Sequence, residues 1–345
     1  MAVAIPQGEN SAALADWVET MLANGDANAI NFVRIARLLK GEATELAELE
    51  LREDGEEAES DLDLTMLGTE GEAERDQRLD LLKQEVERRA RAGEKIYPFR
   101  IEEERAVKVD VCGEAVYMLL LVLSSPSAPY RAAREAHKAE PAFDRIALAA
   151  MKKYLGREAD GVRFARSSSE KDGEGTRPKL FSEAVEWLRD HLEARSGLVE
   201  PDDEDGETPH WEWEGENPAP VLNTYKDAGV DLVVWSDFGD DRAGFPVLLV
   251  QCTVQLTWEN KLEEIPLKLW ERWINFSMVP PQTALVIPFS EDPQSDHWED
   301  RCLRAGVVID RVRLLVLLNE LECDELEELI LPDEIQWARA ELAAI

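Results

Sequence analysis

Two polar residues stand at the ends of two apolar runs in the C-terminal half of the chain. Asp231 opens the run "DLVVWS", and Gln251 closes the run "FPVLLVQ". Both runs are rich in residues that favour strands, and the loop "DFGDDRAG" separates them, so together they predict a β-hairpin. Asp231 and Gln251 are then expected side by side at one end of a sheet, and Gly229 permits a sharp turn into the first strand.

The chemistry available to these residues is that of a hard metal ion. The Asp231 carboxylate, the Gln251 side-chain oxygen and the backbone carbonyl of Cys252 are ligands that Mg²⁺ or Mn²⁺ accepts. A divalent ion in such a place orients water and stabilises the charge that develops in phosphodiester cleavage, and a neighbouring Lys adds to that stabilisation. The spacing therefore indicates a candidate site for metal-dependent phosphodiester hydrolysis.

The same stretches resemble a known family. "DAGVDLVVW" followed by "FPVLLVQCT" is similar to the core of the PD-(D/E)xK nuclease superfamily, and most similar to Mrr-like restriction endonucleases and related defence nucleases. The pattern of that superfamily is Asp-x-Gly-x-Asp entering one strand, then Glu or Gln, one residue and Lys at the end of the next. Asp227, Gly229 and Asp231 match its first part, and Gln251 matches the Glu or Gln position. The resemblance covers roughly residues 181–289.

One position departs from the pattern, because Thr253 stands where the superfamily has Lys. Some members carry this Lys on the following helix, so Lys261 or Lys268 is the candidate replacement, with a solvated helix residue as the alternative for Lys261. The helix preceding the first strand often carries a Glu in this superfamily. Glu183 or Glu186, in the helix predicted for "FSEAVEWLRDHL", is the candidate here, and an ordinary exposed Glu is the alternative.

The resemblance implies a fold and a function. The fold is α/β, with a restriction-endonuclease-like mixed sheet flanked by helices. The function is a Mg²⁺-dependent (or Mn²⁺-dependent) DNA endonuclease subunit of a bacterial system that defends against phage or foreign DNA. Asp231 and Gln251 would hold the metal, Lys261 would assist, and a helical Glu would support the site. Two alternatives stay open: a degenerate subunit of the same fold that binds DNA or assembles a complex without hydrolysis, and an acidic interaction protein.

The net charge of −35 over 345 residues constrains the partners. Nucleic-acid contacts require Lys and Arg, so this balance is unusual for a protein that grips DNA along a broad face. The acid is concentrated in residues 41–76 and 199–216. These segments are typical of solvated, partly disordered chain, and the alternatives are a docking surface for a basic partner or a mask over a nucleic-acid site. We expect DNA to be delivered by a basic subunit or a ring-forming ATPase.

The distribution of helix and strand patterns predicts two parts. Residues 1–170 read as a mainly helical acidic region, with a long exposed helix over Ala73 to Ala92 and a buried run, "CGEAVYMLLLVLSS". Residues 179–345 read as the nuclease domain, with elements in the order α-β-β-α-β-α-β. That order predicts a mixed sheet covered by helices.

The cellular compartment is predicted from three sequence features: targeting signals, membrane-spanning segments and cysteine spacing. No signal peptide is recognisable, and no apolar run is long enough to span a membrane. The cysteines are far apart and lack zinc-ligand spacing. They are Cys112, Cys252, Cys302 and Cys323. These features favour a cytoplasmic protein, without membrane contact, in which all these thiols are reduced.

Overall fold

The computed structural model divides the chain into two compact units that interleave along the sequence. One consists of Met1–Ala139, Pro288–Ser295 and Asp310–Ile345, and the other of Glu140–Ile287 and Asp296–Ile309. The sequence instead predicted a single boundary between residues 170 and 179. The residues that the structure describes are 10–24, 29–39, 69–133, 136–156, 159–166, 177–193, 221–240, 242–274, 276, 279–292 and 295–345.

The first unit combines helices with a small antiparallel sheet. Its strands are β1 (Ala29–Asn31), β2 (Phe99–Glu102) and β3 (Arg105–Lys108), in the order β1-β3-β2. Its helices are α1 (Ser11–Ala23), α2 (Phe32–Leu39), α3 (Thr69–Ala92), α4 (Glu114–Ser124), α5 (Pro129–Ala133), α10 (Arg311–Leu318), α11 (Cys323–Glu328) and α12 (Pro332–Ala344).

The burial of helices α4 and α3 tests two predictions made from the apolar pattern. Every residue of α4 from Val116 to Ser124 is buried, which confirms the prediction for that apolar run. Helix α3 forms where a long helix was predicted, but the prediction that it is exposed is wrong. Leu82, Glu85, Val86 and Arg89 are all buried on one face of it. An acidic and a basic residue on a buried face require partners, because an uncompensated buried charge is costly.

Those partners form a cluster of charges in the core of the first unit. Arg89 and Arg311 have no exposed side-chain surface. Arg89 binds Asp16 at 2.6 Å, Glu19 at 2.9 Å and Glu85 at 2.7 Å. Arg311 binds the other oxygen of Asp16 at 2.7 Å. We call these five residues the buried arginine cluster; its arginines meet carboxylates through charge-assisted hydrogen bonds.

A disulfide joins two of the cysteines in the first unit, so the prediction that all are reduced is wrong. Cys112 precedes α4, Cys323 begins α11, and the two are bonded with their Cα atoms 5.5 Å apart. They are 211 residues apart in the sequence, and the pairing arises because α11 packs near α4. Cys252 and Cys302 are free.

The second unit is built on a five-stranded mixed sheet, which confirms the α/β class. Its strands run in the order β4-β5-β6-β7-β8: β4 (Ala159–Arg163), β5 (Leu232–Ser236), β6 (Val247–Cys252), β7 (Gln282–Val286) and β8 (Val307–Ile309). The pairs β4–β5 and β5–β6 are antiparallel, whereas the pairs β6–β7 and β7–β8 are parallel. Strand β4 precedes the domain boundary that the sequence predicted, and the sequence pattern did not reveal it.

Helices cover both faces of this sheet. They are α6 (Ala136–Leu155), α7 (Phe181–Glu193), α8 (Leu267–Trp273) and α9 (Trp298–Ala305), with a 3₁₀ helix at Trp258–Lys261. Helix α7 packs its apolar face against Val233 and Leu249. On the other face, a Cβ at Gly161 would lie 3.0 Å from Leu148 of α6. Neighbouring residues of a strand point to opposite faces, so α6 and α7 sandwich the sheet.

Some predictions fall outside the described residues. They include the loop predicted between Leu198 and Asn217 and most of the acidic segment that begins at Gly41. Within the described part of the chain, no helix is long and apolar enough to cross a membrane.

Candidate functional site

Asp231, directly before β5, and Gln251, near the end of β6, lie at the same end of the hairpin. Leu232 of β5 is opposite Val250 of β6, and the Asp231 N–H donates to the Val250 carbonyl at 2.8 Å. Continuing this antiparallel register by one residue places Asp231 opposite Gln251, the next-to-last residue of β6. The hairpin thus brings together the two residues that the sequence singled out.

A tight turn directs the chain into β5. The Asp227 carboxylate accepts a hydrogen bond from the Gly229 N–H at 3.0 Å. Gly229 has a φ of +75°, and a Cβ there would lie 2.6 Å from the backbone oxygen of Glu264. Only glycine tolerates both this conformation and this approach. The match to the Asp-x-Gly-x-Asp pattern therefore has a local structural reason, because the first Asp and the Gly build the turn that presents Asp231.

The environment of Asp231 disfavours its negative charge. Its Oδ2 accepts a hydrogen bond from the Cys252 N–H at 2.7 Å. Burial and the nearby Asp144 carboxylate nevertheless raise the pKa of Asp231 well above its ordinary value, with smaller contributions from Asp227 and Glu264. A bound cation would oppose each of these effects by favouring the ionised form.

Asp144 is the acidic neighbour that sequence reasoning missed. It lies on α6, is 5% exposed, and pairs with Arg163 of β4 at 2.7 Å. Helix α6 is the helix directly before the first strand of the sheet. The available signal was an Asp between the apolar residues Phe143 and Ile146 of a helix. Because β4 was not predicted, α7 was taken as the helix before the first strand, and its glutamates were matched to the helical Glu of the superfamily.

The helical glutamates chosen from the sequence lie elsewhere. Glu183 and Glu186 are both exposed on α7. That helix turns its other side, with Ala184, Val185 and Leu188, into the core. The electrostatic neighbours that raise the pKa of Asp231 include Asp144 and not these two residues.

The motif residue Gln251 and the candidate lysine converge on a third residue. Gln251 is 5% exposed, and its Nε2 donates to Oε2 of Glu264 in a short contact. Lys261, the last residue of the 3₁₀ helix, donates from Nζ to Oε1 of the same carboxylate at 2.7 Å. Lys268 is exposed on α8. Of the two candidate lysines, it is thus Lys261 that shares a partner with Gln251.

A small pocket lies beside Gln251. Its volume is about 30 Å³, and its polar lining includes Lys261, Glu263, Thr283 and Arg304. That volume accommodates a water molecule or an ion rather than an organic ligand. Asp231 and Cys252 are not among its lining residues, so the pocket lies on a different side of Gln251 from the proposed metal ligands and is not the metal site.

Cys252 contributes differently from its neighbours. Burial, followed by the charges of Asp144 and Asp231, raises the pKa of its thiol well above the ordinary value, so the thiol stays protonated near neutral pH. A protonated thiol is a poor ligand for a hard ion. The backbone carbonyl remains the group of Cys252 that suits Mg²⁺.

The donors fit a weakly held magnesium ion better than a structural metal. Across the described residues, no group of three or more His, Cys, Asp or Glu side chains is arranged to hold a metal. Asp231 and Gln251 nonetheless offer a carboxylate and an amide oxygen from opposite positions at the end of the hairpin. Mg²⁺ commonly uses only one or two carboxylates, with waters and substrate phosphate completing its shell.

Comparison with known proteins adds no relative: no family model matches the chain, and searches of curated proteins and of solved structures also return no match.

Proposed function

We propose that the second unit is a metal-dependent DNA endonuclease and that the chain acts as a subunit of a bacterial defence system against phage or foreign DNA. The observation that carries this proposal is the register of β5 and β6, which places Asp231, one residue before β5, opposite Gln251 of β6. The acidic neighbour Asp144 and the nearby Lys261 support it, as does the hairpin followed by a helix and a parallel strand. The family resemblance supplies the substrate class, DNA.

The residues have distinct roles in this proposal. The Asp231 carboxylate, the Gln251 side-chain oxygen and the Cys252 carbonyl would hold Mg²⁺ or Mn²⁺. When bound, the ion supplies charge stabilisation and an activated water. Lys261 places an ammonium group near the attacked phosphate, and a compact cation of this kind stabilises developing phosphoryl charge. Asp144, although paired with Arg163, adds negative potential at Asp231 and would thereby favour cation uptake.

Because the net charge is −35, binding of DNA requires a cationic surface from a partner. Phosphate binding depends on cationic side chains, so the chain alone is a poor match for long duplex DNA. A basic partner subunit, or a ring ATPase that feeds DNA to the site, supplies the missing affinity in this proposal.

The test is cleavage of plasmid and linear DNA by the purified protein, alone and with partners that co-purify. We expect cleavage with Mg²⁺ or Mn²⁺, and none with EDTA. Asp231→Ala should reduce cleavage by a factor on the order of 10² or more, the scale of losing one preorganised charge stabiliser or ligand. Full cleavage by Asp231→Ala would rule out the site.

A degenerate subunit is the second candidate, and Thr253 favours it. Thr253 occupies the position of the motif Lys, is buried, and its hydroxyl accepts from the Gln255 N–H at 3.2 Å. Wild-type protein that binds DNA or its partners but cleaves nothing with any divalent metal would favour this candidate.

A further inference from the structure

We propose that Glu264, a residue outside the motif, is the positioning residue of this site: it holds the Gln251 side chain by its NH₂ group, which leaves the amide oxygen for a ligand, and it holds the Lys261 ammonium beside it. This inference rests on the proposed function for the identity of the ligand, but its structural part does not. Glu264 lies between the 3₁₀ helix and α8, 13 residues after Gln251.

The first step is the orientation of the amide. A carboxylate only accepts hydrogen bonds, so Glu264 selects the NH₂ group of Gln251 and leaves the amide oxygen, Oε1, on the opposite side. Among the described residues, no group donates to that oxygen. Gln251 is only 5% exposed, so this oxygen is an acceptor on a nearly buried residue that a ligand could use.

The second step is the position of the lysine. The Lys261 Nζ lies 2.7 Å from Oε1 and 2.6 Å from Oε2 of Glu264, and Gln251 donates to Oε2 as well. A single carboxylate thus fixes an amide from β6 and an ammonium from the 3₁₀ helix. The Glu264 side chain is 37% exposed and Lys261 is 25% exposed, so the ion pair is reachable from solvent.

The third step links Glu264 to the main acidic residue. The backbone oxygen of Glu264 approaches Gly229 so closely that a Cβ on Gly229 would lie 2.6 Å away. Gly229 belongs to the turn that leads into Asp231. The side chain of Glu264 therefore binds Gln251 and Lys261, while its backbone packs against the turn that leads into β5. Glu264 thus contacts Gln251, Lys261 and the turn before Asp231.

The preceding residue provides a matched control. Glu263 has the same chemistry and also lines the pocket, but its carboxylate binds Arg304 at 2.6 Å. Because its partner is different, exchanging Glu263 should not compensate for any change at Gln251.

The test is an exchange of the two groups, read by thermal unfolding in EDTA at neutral pH. Gln251→Glu puts two carboxylates in contact and should lower Tm by on the order of 5 °C. Adding Glu264→Gln restores an amide–carboxylate hydrogen bond in the opposite direction, so the double variant should regain most of that loss. Adding Glu263→Gln instead should regain little. A double variant at 251 and 264 that melts no higher than Gln251→Glu would overturn the proposal.

Calorimetric titration with Mn²⁺ alone separates this inference from the proposed function. Glu264→Ala should weaken Mn²⁺ binding about 10-fold, the scale found for groups that orient metal ligands. Equal Mn²⁺ affinity in wild type and Glu264→Ala would overturn the positioning role and leave the metal site standing. Absence of Mn²⁺ binding in the wild type, together with recovery of Tm in the exchange, would reject the metal-dependent nuclease and support Glu264 as the residue that orients Gln251.

Discussion

The buried arginine cluster of the first unit and the carboxylates around Asp231 in the second unit both gather acidic side chains away from bulk water, but they balance charge differently. In the first, Asp16, Glu19 and Glu85 each bind an arginine within 3 Å. In the second, Asp144 pairs with Arg163, whereas Asp231 receives a backbone N–H as the sole hydrogen bond to its carboxylate within the described chain.

The tyrosines around the first cluster extend this contrast. Tyr97 and Tyr117 donate to the two oxygens of Glu19 at 2.6 and 2.5 Å, so that carboxylate is satisfied on both sides. Buried polar groups satisfied in this way define one arrangement of their helices, because any other arrangement leaves a charge without a partner. The first cluster thus specifies structure.

The second cluster gives up stability instead. An acidic residue whose neighbours are also acidic costs free energy in the folded state, and such groups concentrate at functional sites. Burial and Asp16 also raise the pKa of Glu19 in the first cluster, so the difference between the clusters lies in their partners, which are arginines for Glu19 and a backbone N–H for Asp231. A charge that the fold itself does not neutralise is one that a ligand can neutralise.

The largest expected effect comes from removing a cation from the first cluster. Arg89→Met leaves Asp16, Glu19 and Glu85 without their shared partner and should lower the free energy of unfolding by about 3–5 kcal/mol. Urea unfolding measures this change. Arg91→Met is the matched control, because Arg91 is exposed on the same helix and bonds only locally, to the Glu87 carbonyl at 3.2 Å. Equal free energies of unfolding for the two variants would mean that the Arg89 charge does not stabilise the buried carboxylates.

A second way to weaken the first unit is to open its disulfide. Reduction, or Cys112→Ser, should cost about 2–4 kcal/mol, because the bond restricts the unfolded chain across a long loop. A thiol assay in denaturant should detect two reactive groups before reduction and four after it, in accord with the two free and two bonded cysteines. Four reactive thiols in protein purified without reductant would contradict the bond.

The third change acts on the second unit and has the opposite sign. Asp231→Asn keeps an acceptor for the Cys252 N–H and removes the disfavoured charge, so the metal-free protein should gain on the order of 1 kcal/mol of stability at neutral pH. Because the folded pKa of Asp231 is raised, its contribution to stability is present at pH below about 4 and is lost as the pH rises through the folded value. Thermal unfolding of both proteins from pH 4 to pH 8 checks this.

The pH dependence of the stability difference between Asp231→Asn and the wild type tests whether the Asp231 charge is the cause. We expect the variant to be no more stable than the wild type at the acidic end and more stable at the alkaline end. A constant difference across the series would show that the Asp231 charge is not the cause.

The sequence predicted the hairpin of the second unit well because its signals are local. Apolar runs of strand length, separated by a Gly-rich and Asp-rich loop, identify β5 and β6, and the polar residues at their ends follow from the register. The Asp227–Gly229 turn is equally local. The pairing of Asp231 with Gln251 needed nothing more distant than this hairpin.

The rest depends on contacts between distant parts of the chain. Strand β4 contains the pair Asp160–Gly161, which is typical of a turn, and it becomes a strand by pairing with β5. Without β4, Asp144 could not be placed beside the site. Burial of Arg89 on a charge-rich helix, and the bond between Cys112 and Cys323, likewise depend on residues far away in the sequence.

The smallest expected effect concerns the two glutamates of α7. It decides whether α6 or α7 supplies the acidic side chain that supports the site. Glu183→Gln and Glu186→Gln alter exposed side chains, so each should change the free energy of unfolding by less than about 0.5 kcal/mol. Neither should alter Mn²⁺ affinity. Asp144→Asn breaks the ion pair with Arg163, which should lower stability. It also removes a negative charge near Asp231, which should lower Mn²⁺ affinity. Thermal unfolding and calorimetric titration of these variants measure both quantities. If either α7 variant weakens Mn²⁺ binding while Asp144→Asn leaves it unchanged, the acidic support of the site comes from α7, and the contrast between a neutralised cluster and an acidic one no longer includes Asp144.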